Sequence, residues 1–463
     1  MKRALVAALA LAGFAGCTSL APEFERPPLP VAETFPSSSG TPAAVAAPSI
    51  AWQRFFAPDA TLEGLIALAL QNNRDLRIAV LNIDQARAQW RVQRSDEVPT
   101  LNAAGAATAQ SNADGGVTRA YIAGLAVPAY ELDFFGRVAN LSDAARAQYL
   151  ATEEARRTAQ ISLVAAVASA YLALLGDTEA LALTQSTLAS REASLQLTKL
   201  RYDNGIASAI DIAQATSLVE GARAAHALLR RQKAQSENLL VLLVGQPIAF
   251  PLPGTRTLAD ASFGADPPAG LPSELLANRP DIRQAEQQLR GANANIGAAR
   301  AAFYPRITLT GNAGVASGDL LGLFKSGSLA WTFTPQIVLP IFDGGFNQGN
   351  LEVAQAQQGI AVAQYEKAVQ TAFREVADAL AGRATLTDQL QAQLAAVAAD
   401  NERLKLADLR YENGVASYFE VLDAQRSLFV SQLATVQVQA ARLQNQVALY
   451  KVLGGGWSEP TAN

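Results

Sequence analysis

Leu200-Arg-Tyr-Asp-Asn-Gly-Ile-Ala-Ser208 recurs as Leu409-Arg-Tyr-Glu-Asn-Gly-Val-Ala-Ser417, with seven of nine positions identical and an offset of 209 residues. A match of that length marks an internal duplication, which governs every later step in reading the fold. A second set agrees at an offset of 206: Asp75, Arg77, Ala86, Ala88, Pro99 and Gly105 fall on Asp281, Arg283, Ala292, Ala294, Pro305 and Gly311. The chain is therefore written twice, with one architecture in both halves. Gly205 and Gly414 follow the repeated Leu-Arg-Tyr, where a helix ends through a left-handed residue and the chain turns back.

Proline placement shows what that architecture is. Pro128 to Pro247 and Pro340 to Pro460 enclose proline-free runs of 118 and 119 residues. Proline breaks helix interiors, so these runs are the candidates for long helices. In the second run Val369, Phe373, Val376 and Leu380, then Leu386, Leu390, Leu394, Val397 and Leu404, form a stripe at helical spacing that buries against a neighbouring helix. In the first run a helix is expected from about Ala139 to Tyr202.

Segments of another period precede each run. Ile307, Leu309, Gly311, Ala313 and Val315 alternate with Thr308, Thr310, Asn312, Gly314 and Ala316, a period of two. Gly318 to Ser328 reads as a loop, and Trp331 and Phe333 lead into Ile337, Val338 and Leu339, so a strand hairpin is expected at 306–343. The first half repeats it more weakly at 100–134. Four strands cannot close a membrane barrel, whose smallest form has about eight, and an open edge in lipid leaves backbone groups unpaired. Two chains would supply 8 strands and three would supply 12; strand arithmetic alone leaves both open.

The 463 residues include 1 Cys, 1 His and 1 Met, which excludes a disulfide framework or a Cys/His metal centre. Net charge is −4, and no basic stripe suggests nucleic acid. The cysteine has an explanation in the leader. Lys2 and Arg3, the apolar run Ala4 to Ala15 and then Gly16-Cys17 have the order of an export signal. Cys17 resembles the acylated cysteine of a bacterial lipobox, with Phe14 at the usual leucine, and Thr18 is not the aspartate that retains lipoproteins at the inner membrane. An acylated, outer-membrane terminus is expected. Eight prolines between Ala21 and Ala60 make the following stretch an extended arm.

Further residues give a specific resemblance. Arg279-Pro-Asp-Ile282, Phe303-Tyr-Pro305, Tyr411-Glu-Asn-Gly414, Leu422-Asp-Ala-Gln-Arg426 and Leu449-Tyr-Lys-Val-Leu-Gly-Gly-Gly-Trp457 are similar to the outer membrane factor family of TolC-like channels, in particular its lipoprotein branch. The resemblance implies a mixed α and membrane-β fold: a homotrimer whose four strands per chain make one 12-stranded barrel, continuous with an antiparallel helical tunnel. It implies a passive duct rather than an enzyme, with no cofactor beyond lipid on Cys17. The partners would be a periplasmic adaptor and an inner-membrane efflux transporter of RND type. A periplasmic adaptor lipoprotein is the alternative, disfavoured because an adaptor has one helical hairpin. The resemblance also assigns sites. Tyr411 and Asp211 would lock the two hairpins together, while the partnering tip arginine is replaced by Ala416. Phe419, Asp423 and Arg426 would line the periplasmic gate. Glu420, three residues before Asp423, shares its helix face. In a trimer those carboxylates would form rings that favour cations.

The expected organisation is a signal peptide at 1–16, an acylated arm at 17–60 and a first repeat at 61–247 with its tip near 203–211. A linker at 248–272, a second repeat at 273–453 with its tip near 412–420, and a tail at 454–463 complete it.

Overall fold

The computed structural model describes residues 19–32, 34, 35, 50–249, 252, 257–264 and 279–456. The leader, Cys17, most of the linker at 248–272, and Trp457 lie outside the described residues. The chain runs α1 (Trp52–Phe56), α2 (Ala60–Asn72), α3 (Arg74–Ser95), β1 (Asn102–Ser111), β2 (Val117–Leu132), α4 (Arg137–Asp203) and α5 (Ala209–Val244). It continues through α6 (Pro280–Ala301), β3 (Arg306–Ser317), β4 (Leu329–Val338), α7 (Phe346–Glu412) and α8 (Tyr418–Val452).

The duplication is visible in element lengths. α3 and α6 have 22 residues each, α4 and α7 have 67 each, and α5 and α8 have 36 and 35. A 67-residue helix is about 100 Å long at 1.5 Å per residue. Helices of that length are held by side-chain packing rather than by propensity. In α4 an 18-residue apolar window is 67% buried, which makes it part of the protein core although it is long and apolar enough to cross a membrane.

The described residues cluster into two compact units. One contains Met1–Leu29, Val80–Ala155 and Asp281–Ala368. Its centre is an antiparallel sheet in the order β1-β2-β3-β4, leaving β1 and β4 as edges. The register places Ala123 opposite both Gly105 and Val315, and Ala313 opposite Trp331. Between Val127 and Tyr130 the β2–β3 register shifts. Pro128 sits in this irregularity and its carbonyl accepts from Thr310 Oγ1 at 3.0 Å; a bulge is where a strand tolerates a missing N–H. Pro335 likewise lies in β4, opposite Leu309, so the strand continues through a residue that has no N–H to give the ladder.

In the same unit the arm residues from Leu20 to Arg26 lie along α6. Asn293 Nδ2 donates to the Pro22 carbonyl at 2.8 Å and Arg300 Nη1 to the Leu20 carbonyl at 3.2 Å. Arg26 Nη2 reaches both oxygens of Glu286 at 3.0 and 2.8 Å, and Arg290 bonds Glu286 at 2.8 Å. Burial raises the Glu286 pKa, but hydrogen bonds from Arg290 and Arg26 outweigh it and hold the carboxyl below its ordinary value.

The other unit contains Pro30–Ala79, Arg156–Pro280 and Val369–Asn463. Asp59 caps α2 by accepting from the Thr61 and Leu62 amides at 3.1 Å. Leu62, Leu65, Ile66 and Ala69 then bury one face of α2, in a core with Val167, Tyr171, Leu240 and Val447. Tyr450 stacks on Phe55 at 4.2 Å and donates to the Ile50 carbonyl at 2.6 Å. The upper stripe of α7 is buried at Val369, Val376 and Leu380, whereas Leu394 is exposed.

Candidate functional site: an open sheet and two hairpin tips

The sheet has one apolar and one polar face. Ile307, Leu309, Ala313 and Val315 pair with Ile337, Pro335, Trp331 and Leu329, while Thr308, Thr310, Asn312 and Gly314 pair with Gln336, Thr334, Thr332 and Ala330. Successive strand residues point to opposite faces, so these two sets are separated across the sheet. The apolar set is open to its surroundings: Leu329 is 79% exposed, Trp331 72% and Phe333 61%. β1 and β4 are exposed along their whole length. A large exposed apolar face bounded by two unpaired edges is stable only when lipid covers the face and other strands cover the edges. On the polar side Gly124 faces Gly314. A Cβ on Gly314 would stand 2.2 Å from the Ala123 carbonyl oxygen, and one on Gly124 2.5 Å from that of Ala313, so this close approach requires glycine in both strands.

At the tips the repeated nonapeptide makes the same turn twice. Gly205 has φ +74° and Gly414 +70°. Gly205 N–H donates to the Tyr202 carbonyl and Ile206 N–H to that of Arg201, at 2.9 and 2.8 Å; Gly414 and Val415 do the same with Tyr411 and Arg410, at 3.0 and 2.9 Å. These bonds close each long helix with a Schellman turn. Three exposed apolar residues then recur at the 209-residue offset: Leu200, Ile206 and Ile210 at one tip, Leu409, Val415 and Phe419 at the other.

The polar wiring of the tips differs. At the first, Ser208 and Asp211 form a capping box, with Asp211 Oδ2 accepting from the Ser208 amide at 2.8 Å and its hydroxyl at 2.7 Å. At the second, Ser417 makes no side-chain cap, and Glu420 instead pairs with Arg410 at 3.5 Å. Asp423 bonds Arg403 of α7 and Arg426 of its own helix. Burial, and then the neighbouring Glu412, raises the Asp408 carboxyl above its ordinary value.

Cys17 lies outside the described residues, and the other sequence-predicted site residues each have a place. Phe419, Glu420, Asp423 and Arg426 share the start of α8 beside the second tip, with Phe419 55% exposed. Tyr411 and Asp211 are not hydrogen-bonded to each other among the described residues. The Tyr411 ring packs against Tyr418 at 5.0 Å and under the Arg201 guanidinium at 5.0 Å, while Asp211 is turned to its own cap with both bonds on Oδ2. Sequence reasoning missed Arg403. With its two arginine partners, Asp423 belongs to a cluster of net charge +1 per chain rather than standing as a bare carboxylate. The signal was available: in an antiparallel hairpin reversing at Gly414, residue 403 lies across from residue 425, beside Asp423 and Arg426.

The family profile described as "Outer membrane efflux protein" matches residues 65–246 and 271–455. The outer membrane protein OprJ of Pseudomonas aeruginosa is 47% identical over 465 residues, covering 98% of this chain and 96% of the relative. The probable efflux pump outer membrane protein TtgC of Pseudomonas putida is 45% identical, covering 100% of this chain and 97% of the relative. Among solved structures, the open state of the MtrE outer membrane channel of Neisseria gonorrhoeae superposes with a TM-score of 0.87 at 40% identity, covering 95% of this chain and 99% of that one. A fold of long helices joined to a four-stranded share of an outer-membrane barrel defines a class of envelope channel, not an adaptor. The chain belongs to the outer membrane efflux protein family.

Proposed function

We propose that three copies of this chain form one passive, gated duct that carries small molecules out of the cell as the outer-membrane part of a tripartite efflux system. The observation that carries this reading is the open sheet: its apolar face needs lipid, and its edges β1 and β4 need strands from other chains. Three chains give 12 strands, within the range of closed outer-membrane barrels. The polar face, with Thr308, Thr310, Asn312, Thr332 and Thr334, then lines the passage. Energy comes from an inner-membrane transporter of RND type through a periplasmic adaptor, for which the six exposed apolar tip residues offer a docking surface. Cys17 carries the lipid, and the arm on α6 places Ser19, two residues later, against Asn140 at 2.8 Å.

The gate lies where α8 begins, at Phe419, Glu420, Asp423 and Arg426. In the closed duct Tyr411 donates to Asp211 Oδ1, the oxygen that the capping box leaves over. Opening separates the hairpins and exchanges these weak ties for adaptor contacts. Single-channel recording of the purified protein in a planar bilayer tests the reading. Discrete conductance steps from trimers support it, and silence from trimers carrying Asp211→Ala with Tyr411→Phe overturns it.

A further inference from the structure

Arg191 lies on α4, 12 residues before the end of that helix at Asp203. It is only 6% exposed, and Nη1 donates to the Leu218 carbonyl at 3.1 Å. Nε and Nη2 have no acceptor among the described residues. Those two N–H groups form one edge of the guanidinium, the fork that holds a carboxylate through two parallel bonds. The Phe429 ring covers its face, 5.0 Å from the guanidinium carbon. Arg191 lines a cavity of about 200 Å³ together with Ser186, Thr187, Ser190, Gln425 and Gln432, and no acidic residue lines it among the described residues. Gln425 Oε1, in the same lining, is also buried without a donor among the described residues.

The guanidinium keeps its proton throughout the range in which proteins fold. It is therefore a buried cation without a countercharge, which is costly unless something ionic joins it. Burial accordingly lowers its pKa, with no carboxylate to offset the effect. Nor is it imposed by the duplicated helix, because the equivalent position 209 residues on is Asp400. A cavity of this size with several hydroxyl and amide groups has room for more than one water-sized group.

We propose that this cavity is an oxyanion site, in which a small carboxylate sits on Arg191 Nε and Nη2 with the hydroxyl and amide side chains around it. Because its lining comes from α4, α7 and α8, a seated anion ties the first repeat's long helix to the second repeat's hairpin. The test is saturation-transfer NMR on the detergent-solubilised full chain, with carbon-13-labelled acetate as the probe and chloride at equal ionic strength as the competitor. The wild type should give a saturable methyl signal that falls at least about tenfold in Arg191→Met, since the binding fork is gone. Arg191→Lys keeps the charge without the fork and should lose about threefold or more; it decides the matter if the methionine variant fails to assemble. Equal signals in wild type and variants overturn the site. So does a wild-type signal no greater than that of empty micelles, or displacement by chloride as readily as by unlabelled acetate.

Discussion

Asp423→Asn removes one charge and leaves the shape of the side chain. In the structure Asp423 joins Arg403 of α7 to Arg426 of α8, with side-chain exposures of 21%, 50% and 65%. Both arginines reach solvent, so each pair is worth about 0.5 kcal/mol rather than a buried pair's energy. Arg426 shares α8 with Asp423 and keeps its bond in either state, so only the Arg403 pair across α7 and α8 changes. That is about 0.5 kcal/mol per chain and about 1.5 kcal/mol when three chains open together, or roughly tenfold in the closed-to-open ratio at 1.4 kcal/mol per tenfold. The same change takes the cluster from +1 to +2 per chain, so the passage should turn toward anions. Single-channel recording in a potassium chloride gradient reads both effects, as open probability and as reversal potential. High salt should mimic part of the first in the wild type by screening the pairs. Intact Asp423→Asn trimers with wild-type open probability and reversal potential would refute the reasoning and move the constriction elsewhere.

Other parts of the structure give shorter tests. Gly314→Ala must displace the Ala123 carbonyl, which a Cβ would approach to 2.2 Å; a cost of about 1–3 kcal/mol per chain should lower the temperature at which oligomers fall apart on a gel. Cys17→Ser should abolish incorporation of labelled palmitate yet leave oligomers, because the arm is held on α6 by Pro22, Leu20 and Arg26. Glu286 has a depressed pKa when folded, so its clamp on Arg26 is fully present above the unfolded value of about 4.3 and lost as pH falls through the lower folded value. Limited proteolysis should therefore cut the arm of the wild type only below the ordinary carboxylate range, as read with an acid-active protease, and that of Glu286→Gln already at neutral pH, as read with a neutral protease. Cleavage unchanged by either perturbation would show that the clamp does not hold the arm.

Much of the fold was legible because duplication and proline placement are long-range signals that need no side-chain geometry. Two proline-free runs place the 67-residue helices, and the repeated nonapeptide places both turns because only glycine adopts their backbone readily. The strands were harder. β1 is nearly all alanine, glycine and small polar residues, so its alternation is faint, and Pro335 argued against a strand that survives because β4 is an edge. The gate residues could be placed on one helix face by spacing and by resemblance, but their partners could not. Arg403 lies 20 residues from Asp423 and meets it only because the hairpin is antiparallel. Asp211 caps its own helix through a local Ser-x-x-Asp pattern, which competes with any distant partner. Arg191 was invisible in sequence, since a lone arginine on a long helix ordinarily faces water.

Closure of the sheet by neighbouring chains is best tested by disulfide trapping across the two edges, in a Cys17→Ser background with no other cysteine. Cysteines would be paired between β1 and β4 on the polar face, scanning Ala106, Thr108 and Gln110 against Thr332, Thr334 and Gln336. One register should give covalent dimers and trimers on a non-reducing gel, with nothing larger, because the third chain closes the ring. A ladder extending beyond trimer, or purified oligomers that cross-link in no register, would contradict a 12-stranded barrel shared by three chains.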